Sequence, residues 1–579
     1  MAILIERDVP CEVRDGTILR ANVFRDPDAG PAPVLVFRTP YDKNAGTITY
    51  MALDPMKAAE AGYVVVQQDT RGRGSSEGVH TPWLDEFEDG YDTIEWAARQ
   101  PWSNGLVGEY GISYHGLTSW ASAVMAPPSL RAIAPSQAPC NLYDCFFRQG
   151  AFELGTYTQW ALRVMSPAEL LRARKGAPAD ERWAEFLRMI DELDPYEEMV
   201  RTLPLRDVAP VVAHEPYFAF ITDMFEHPAP DEFIAERSIT GRHGEVKVPV
   251  MITAGWHDIL LRSDLDHYAA MTADTIPAEE RQPVQLTIGP WVHGSGMHQQ
   301  AGGEVDYGYR ASGLMMDLKE DLTAYHLRWF DRWLKDTDVP SRALVRIFVM
   351  GANRWRDEQE WPLARQRETA WYFHADAALS ATKPSADSAS LSYVFDPENP
   401  FPTLGGPTLM PTTYPKGSVE QNKLHDRDDV LLFTSDALDA PLEVTGHVRV
   451  RLWASSDARD ADWMVKLCDV HPDGRSYNVC DGIVRASKRE REWTEPRPLT
   501  PGEIVEYEID LAATSMVFMP GHRLQVLVTS SDFPRYDRNP GTGEQGFDAA
   551  TLMKARQTIH CDAERPSCIL LPIIPDPQP

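Results

Sequence analysis

Ser113 stands in Gly111-Ile112-Ser113-Tyr114-His115-Gly116, between the apolar run Leu106–Tyr110 and the helix-like stretch Leu117–Met125. A serine held in a tight turn between a strand and a helix can attack a carbonyl. The turn exposes its hydroxyl, and small flanking residues avoid a clash where strand meets helix. The usual spacing is Gly-x-Ser-x-Gly; here the second glycine falls one place later, at Gly116. A hydroxyl is a poor nucleophile, so it needs a base, and the base needs an orienting acid. Two later apolar runs deliver both. Val248–Ala254 leads into Gly255-Trp256-His257-Asp258, and Val284–Ile288 leads into Gly289-Pro290-Trp291-Val292-His293. The order Ser113, Asp258, His293 is nucleophile, acid, base, and the chemistry it points to is acyl transfer. His257 precedes Asp258 on the same loop, which is the wrong loop for the base. Asp264 and Asp266 lie further on in an apparent helix and are expected to be solvated.

Acyl transfer also needs donors for the oxyanion. The backbone N–H after the nucleophile, that of Tyr114, is one. The second is expected from the loop after Val34–Phe37, which reads Arg38-Thr39-Pro40-Tyr41-Asp42-Lys43. It has no Gly-Gly pair to present a backbone amide, but Tyr41 carries a hydroxyl. Residue type alone leaves Tyr41 open between packing and donation.

These residues need a scaffold that brings strand ends together. Residues 1–140 alternate short apolar runs (Val34–Phe37, Tyr63–Val66 and one from Leu106) with helix-like stretches (Met51–Ala61, Glu86–Arg99). That alternation predicts a mostly parallel sheet covered on both faces. From 141 to 244 the pattern is helical and Pro-punctuated, with Pro167–Lys175, Ala179–Glu192 and Asp231–Ser238. Strand signals then resume, and Leu318–Lys335 reads as an amphipathic helix. The economical reading is one α/β domain, 1–140 and 245–340, carrying a helical insertion at 141–244. After Val339-Pro340 the strands alternate apolar and polar residues, as in Val444–Trp453, and turns such as His471-Pro472-Asp473-Gly474 recur. Residues 341–579 are therefore expected to form an all-β sandwich or jelly roll. Ala375–Ser390 and Pro397–Pro415 read as long loops.

Composition narrows the function. The 579 residues hold 56 Lys+Arg against 86 Asp+Glu, a formal charge of −30. Such a field repels phosphate backbones and argues against nucleic acid as a partner. No window approaches the ~20 apolar residues of a membrane span, and the N-terminus lacks a basic region followed by a long apolar one. The seven cysteines are odd in number, scattered and without a CxxC pair. They predict buried thiols in a reducing compartment, and hence a cytoplasmic protein. The partner this chemistry requires is a small-molecule ester; it calls for no metal or organic cofactor. Homo-oligomerisation stays open.

The motifs also carry a resemblance. Pro40-Tyr41-Asp42-Lys43, the run Asp69-Thr70-Arg71-Gly72-Arg73-Gly74-Ser75-Ser76-Glu77-Gly78, the Ser113 turn, Gly255-Trp256-His257-Asp258 and Gly289-Pro290-Trp291-Val292-His293-Gly294 resemble the cocaine esterase and X-prolyl dipeptidyl-peptidase family. Phe348-Val349-Met350-Gly351, with Trp355-Arg356 and Trp361-Pro362, resembles the opening of that family's C-terminal jelly roll. The resemblance implies an α/β-hydrolase fold with a helical cap and a C-terminal jelly roll. It implies a Ser113–His293–Asp258 triad and an oxyanion hole made by Tyr41 and Tyr114. It implies an acyl pocket lined by Phe147, Trp160 and Leu260, the last aliphatic where cocaine esterase has an aromatic ring. The Asp69–Gly78 run reads as a charged turn bracing the sheet edge; no Gly-Lys-Ser/Thr follows to make it a phosphate cradle. The implied activity is that of a serine carboxylesterase. The alternative within the family is an X-prolyl dipeptidyl-peptidase or an α-amino-acid ester hydrolase. The amino-ester branch places acidic residues two and three positions after the catalytic Asp; those positions here are Leu260 and Leu261.

Overall fold

The computed structural model describes residues 2–213, 219–335, 337, 344–490, 496–544 and 546–575. The change of pattern at Val339-Pro340, and with it the 340/341 boundary, lies outside the described residues.

Ten strands form the main sheet: β1 (Leu4–Glu12), β2 (Ile18–Arg25), β3 (Ala32–Thr39), β4 (Val64–Asp69), β5 (Ser103–Ile112), β6 (Leu130–Ser136), β7 (Val250–His257), β8 (Val284–Val292), β9 (Val345–Val349) and β10 (Arg354–Glu358). Their spatial order is β1-β2-β4-β3-β5-β6-β7-β8-β9-β10. From β4 through β9 the neighbours run parallel, while antiparallel strands finish both edges. Every residue of β4 and of β7 is buried, as a sheet covered on both faces requires. Successive side chains of β3 enter different cores. Val34 and Val36 join Leu117 and Trp120, whereas Leu35 and Phe37 join Trp329 and Phe330. Helices Glu86–Ala98 and Tyr114–Val124 thus cover one face and Leu322–Leu334 the other.

The early helix is shorter than Met51–Ala61. It spans Pro55–Glu60, because Asp54 caps Met56 N–H at 2.8 Å and Pro55 starts the first turn. Between β6 and β7 the chain is helical, with Tyr157–Met165, Ser166–Ala173, Ala179–Leu193 and Glu232–Glu236. One small hairpin interrupts it, pairing Phe147–Arg148 with Ala151–Phe152.

The segment that resembles the opening of a jelly roll pairs with the main sheet. β9 pairs with β8 over Leu286–Ile288, all five of its residues are buried, and β10 folds back on it. Phe348, Trp355 and Arg356 therefore extend the main sheet. Beyond residue 366 the strands form a seven-stranded and a four-stranded sheet, and a two-stranded ribbon pairs Ala301–Gly302 with Val305–Asp306. The two larger sheets share a core that includes Phe373, Phe433, Val450, Trp463 and Val526. Residues 397–415 form the long loop expected, and they return to the main domain at Leu409.

Candidate active site

β5 ends at Ile112, and the helix Tyr114–Val124 begins two residues later. Ser113 joins them with φ 61° and ψ −126°, a strained backbone for a residue with a side chain. The glycine spacing has a steric cause. A Cβ on Gly111 would sit 2.4 Å from the Cβ of His115, and one on Gly116 would sit 2.7 Å from the Cβ of Ala138. His115 is a buried strut at the place where the common motif has its second glycine. Its Nδ1 lies 2.6 Å from the Ile112 carbonyl and its Nε2 2.9 Å from the Thr39 hydroxyl. Burial lowers its pKa to about 3, which keeps it neutral.

The three sequence-predicted residues meet at the carboxyl edge of the sheet. His293 Nε2 lies 2.9 Å from Ser113 Oγ, and its Nδ1 lies 2.7 Å from Asp258 Oδ2. The other Asp258 oxygen accepts the Leu260 N–H at 2.7 Å. A carboxylate facing Nδ1 fixes the tautomer with its proton there and leaves Nε2 to accept the serine proton. Gln137 braces the histidine from both sides. Its Nε2 donates to the Val292 carbonyl at 3.2 Å, and its Oε1 accepts the Gly294 N–H at 2.8 Å. His257 stays outside this chain. It is buried against the Tyr307 hydroxyl at 3.1 Å, and burial lowers its pKa to about 4.

Asp264 departs from its solvated expectation. It is fully buried in the helix Leu261–Thr272 and accepts the Ala138 N–H at 2.9 Å. Burial, and then the charge of Asp258, raises its pKa. Asp266 is exposed on the same helix, but desolvation of its carboxyl raises its pKa to about 6.

The two expected oxyanion donors flank Ser113. Tyr114 holds the first position of its helix, where no carbonyl within the helix can accept its N–H. Its phenol donates to Glu86 Oε1 at 3.0 Å and accepts the Trp83 N–H at 3.0 Å. The Tyr41 oxygen accepts the indole N–H of Trp160 at 2.7 Å, and burial pushes its pKa well above the usual phenol value. The Tyr41 hydroxyl therefore stays protonated and can donate. Its loop is pinned from the Asp69–Gly78 run. Asp69 accepts Lys43 Nζ at 2.7 Å, and Arg73 Nε donates to the Pro40 carbonyl at 2.8 Å. A Cβ on Gly74 would lie 2.1 Å from Asp69 Oδ2, so this turn requires its glycine. The run braces the edge, as its composition suggests.

A pocket of about 500 Å³ opens beside Ser113, lined by Tyr41, Trp83, Tyr114, Trp160, Ile259 and Leu260 among others. Phe147 is not among its lining residues. It stacks on Tyr143, with ring centroids 4.7 Å apart, and is part of the core. Its neighbour Arg148 faces the pocket instead, with Glu153. Glu153 is 4 % exposed and lies 3.5 Å from Arg148 Nε and 3.6 Å from Arg535 Nη2. Sequence reasoning missed this ionic group and also Gln137; no motif marks either.

The family profile described as X-Pro dipeptidyl-peptidase (S15 family) matches residues 15–295. That of the X-Pro dipeptidyl-peptidase C-terminal non-catalytic domain matches 338–570. Cocaine esterase from Rhodococcus sp. (strain MB1 Bresler) is 36% identical over 591 aligned positions, covering 98% of both chains. An aminopeptidase structure from a marine sediment Thaumarchaeota archaeon superposes with a TM-score of 0.83 at 26% identity, covering 99% of this chain and 96% of that one. A selenomethionine-labelled α-amino acid ester hydrolase gives a TM-score of 0.77 at 26% identity and the same coverage. With cocaine esterase matched along almost its whole length and the S15 profiles matched in order, this chain belongs to the cocaine esterase and X-Pro dipeptidyl-peptidase (S15) family.

Proposed function

We propose that this protein is a serine hydrolase that cleaves carboxylic esters through an acyl-enzyme on Ser113. The observation that carries the reading is the unbroken chain Asp258–His293–Ser113, with contacts of 2.7 and 2.9 Å. Ser113 Oγ bonds to the ester carbonyl carbon while His293 Nε2 takes its proton. The carbonyl oxygen becomes an oxyanion that accepts from Tyr114 N–H and the Tyr41 hydroxyl. As the tetrahedral intermediate collapses, the carbon–oxygen bond to the alcohol breaks and His293 returns the proton to the leaving oxygen. Water then attacks the acyl-enzyme by the same route and frees the acid. Asp258 orients the imidazole and stabilises its charged form throughout. These steps use no metal or organic cofactor.

The helices of 141–244 serve as a cap, since Trp160 and Thr156 on them face the pocket. The two antiparallel C-terminal sheets read as the family's jelly roll. Seven free cysteines, with all but Cys145 buried, fit a reducing cytoplasm. Among the described residues no helix is long and apolar enough to cross a membrane.

The lining favours a neutral acyl group. Leu260, Ile259, Trp83 and Trp160 are apolar surface, and the one carboxylate, Glu153, already faces Arg148 and Arg535. Glu153 is also what favours the second reading, an α-amino-acid ester hydrolase or peptidase, because it could receive a substrate ammonium. Initial rates on matched esters and p-nitroanilides, with and without an α-amino group, decide between them. Higher kcat/KM for the neutral esters supports the first; a marked preference for the free amine supports the second.

A further inference from the structure

The strand Asp462–Val470 pairs with Arg523–Thr529, so that Val470 lies opposite Arg523 and Asp469 opposite Leu524. The chain leaves Val470 through a tight turn in which the Gly474 N–H donates to the His471 carbonyl at 2.9 Å. Residues two apart in extended chain face the same way, which puts His471 on the side of Asp469. His522, just before the partner strand, completes the group. His522 Nδ1 lies 2.9 Å from Asp469 Oδ1, and His471 Nε2 lies 3.4 Å from Asp469 Oδ2. One ligand atom from each of the three residues lies within 4.8 Å of the others.

Asp469 is 2 % exposed, and its ion-pair partners among the described residues are these two imidazoles. The group borders a cavity of about 740 Å³, which His257, Tyr307 and Ser418 also line. None of the three lines the Ser113 pocket.

We propose that Asp469, His471 and His522 bind a transition-metal dication of the zinc type, with one coordination position left open to the cavity. Two imidazoles and a carboxylate are a donor set for such ions. Tetrahedral zinc with bonds of ~2.0–2.1 Å holds its donors about 3.3 Å apart, and the two carboxylate–imidazole separations straddle that value. A dication also compensates the charge of a buried carboxylate. Water or an anionic ligand takes the open position.

A second cluster meets the same distance limit: Cys140, His243 and His267. Its atoms already have partners, two of them outside the cluster. His243 Nε2 lies 2.8 Å from His267 Nδ1, His267 Nε2 lies 3.2 Å from the Pro139 carbonyl, and Cys140 Sγ lies 3.2 Å from the Thr240 hydroxyl. All three residues are buried, and a thiolate there would mark its metal spectroscopically.

The test is calorimetric titration of the chelator-treated full chain with Zn²⁺, repeated for His471→Gln and His522→Gln. Optical spectra with Co²⁺ accompany it. Both substitutions fall at the strand ends, and melting in chelator checks that each variant is folded. The proposal expects one Zn²⁺ per chain, affinity lowered at least tenfold in each folded variant, and a Co²⁺ spectrum without a sulfur-to-metal charge-transfer band. Absent binding, unchanged affinity in either folded variant, or a sulfur band placing the metal at Cys140 would each overturn it.

Discussion

The indole N–H of Trp160, on the helical insertion, donates to the phenol oxygen of Tyr41, on the loop after β3, across 2.7 Å. That contact occupies a lone pair on Tyr41 and leaves its proton for another acceptor. It ties the insertion to the proposed oxyanion donor. Tyr41→Phe should lower kcat by about 10²–10³, the usual loss for one oxyanion donor, with little change in KM or melting temperature. Trp160→Phe leaves the phenol in place but unoriented and should lower kcat severalfold, about 1 kcal/mol for one hydrogen bond. Steady-state kinetics and melting curves on both variants check this. A silent Tyr41→Phe would make Tyr41 a packing residue.

Glu153 sets a second expectation. It sits between Arg148 and Arg535, and burial raises its pKa against their pull. Glu153→Gln should leave kcat/KM for neutral esters within a few-fold, because the substrate does not need its charge. If Glu153 held a substrate ammonium, the same change would cost α-amino esters two orders of magnitude or more, as loss of a buried charge partner does. The ratio of kcat/KM for paired neutral and amino esters, wild type against variant, is the readout.

Gln137 bonds the backbone on either side of His293 and is not among the residues lining the Ser113 pocket. Gln137→Leu removes the bonds to the Val292 carbonyl and the Gly294 N–H. At about 1 kcal/mol each, kcat should fall by ten- to thirtyfold at unchanged KM. The rate of fluorophosphonate labelling should fall in parallel, because both depend on the Ser113–His293 contact. A lower melting temperature with unchanged labelling would assign Gln137 to the fold alone.

Burial raises the pKa of Glu109 on β5 to about 8 against the opposing charge of Arg38. Its folded value then lies above the unfolded ~4.3. Its contribution to stability is complete below the unfolded value and is lost as pH rises through about 8. Stability should therefore fall with pH across that window, by at most about 1.4 kcal/mol per pH unit from this one group. Glu109→Gln should make the fall shallower. Chemical denaturation at pH 6 and pH 8.5 measures it, and equal pH slopes for the two proteins would contradict it.

Ser113, Asp258 and His293 were legible in the sequence because each follows an apolar run at a short offset, and parallel strands end at one edge. The pocket was less so. In the hairpin at Phe147–Phe152 consecutive side chains face opposite ways, and the one that turns to the pocket is Arg148, not Phe147. Gly150, at φ 88°, makes that reversal possible. Asp264 looked like a solvated helix residue, since nothing local shows that the Ala138 N–H lies against it. β9 and β10 read as the start of the β region because a strand at a sheet edge has the same composition in either domain. The pairing of β9 with Leu286–Ile288 joins them to the main sheet.

The central claim is that Ser113 forms the acyl-enzyme, and the most direct measurement is covalent. The full chain is treated with a fluorophosphonate, digested and mapped by mass spectrometry, beside Ser113→Ala and His293→Ala. One adduct per chain is expected, on the Ser113 peptide, with none in Ser113→Ala and strongly slowed labelling in His293→Ala. Turnover should fall by roughly 10⁴–10⁶ in both variants. An adduct on any other residue, or ester turnover near wild type in Ser113→Ala, would contradict the account.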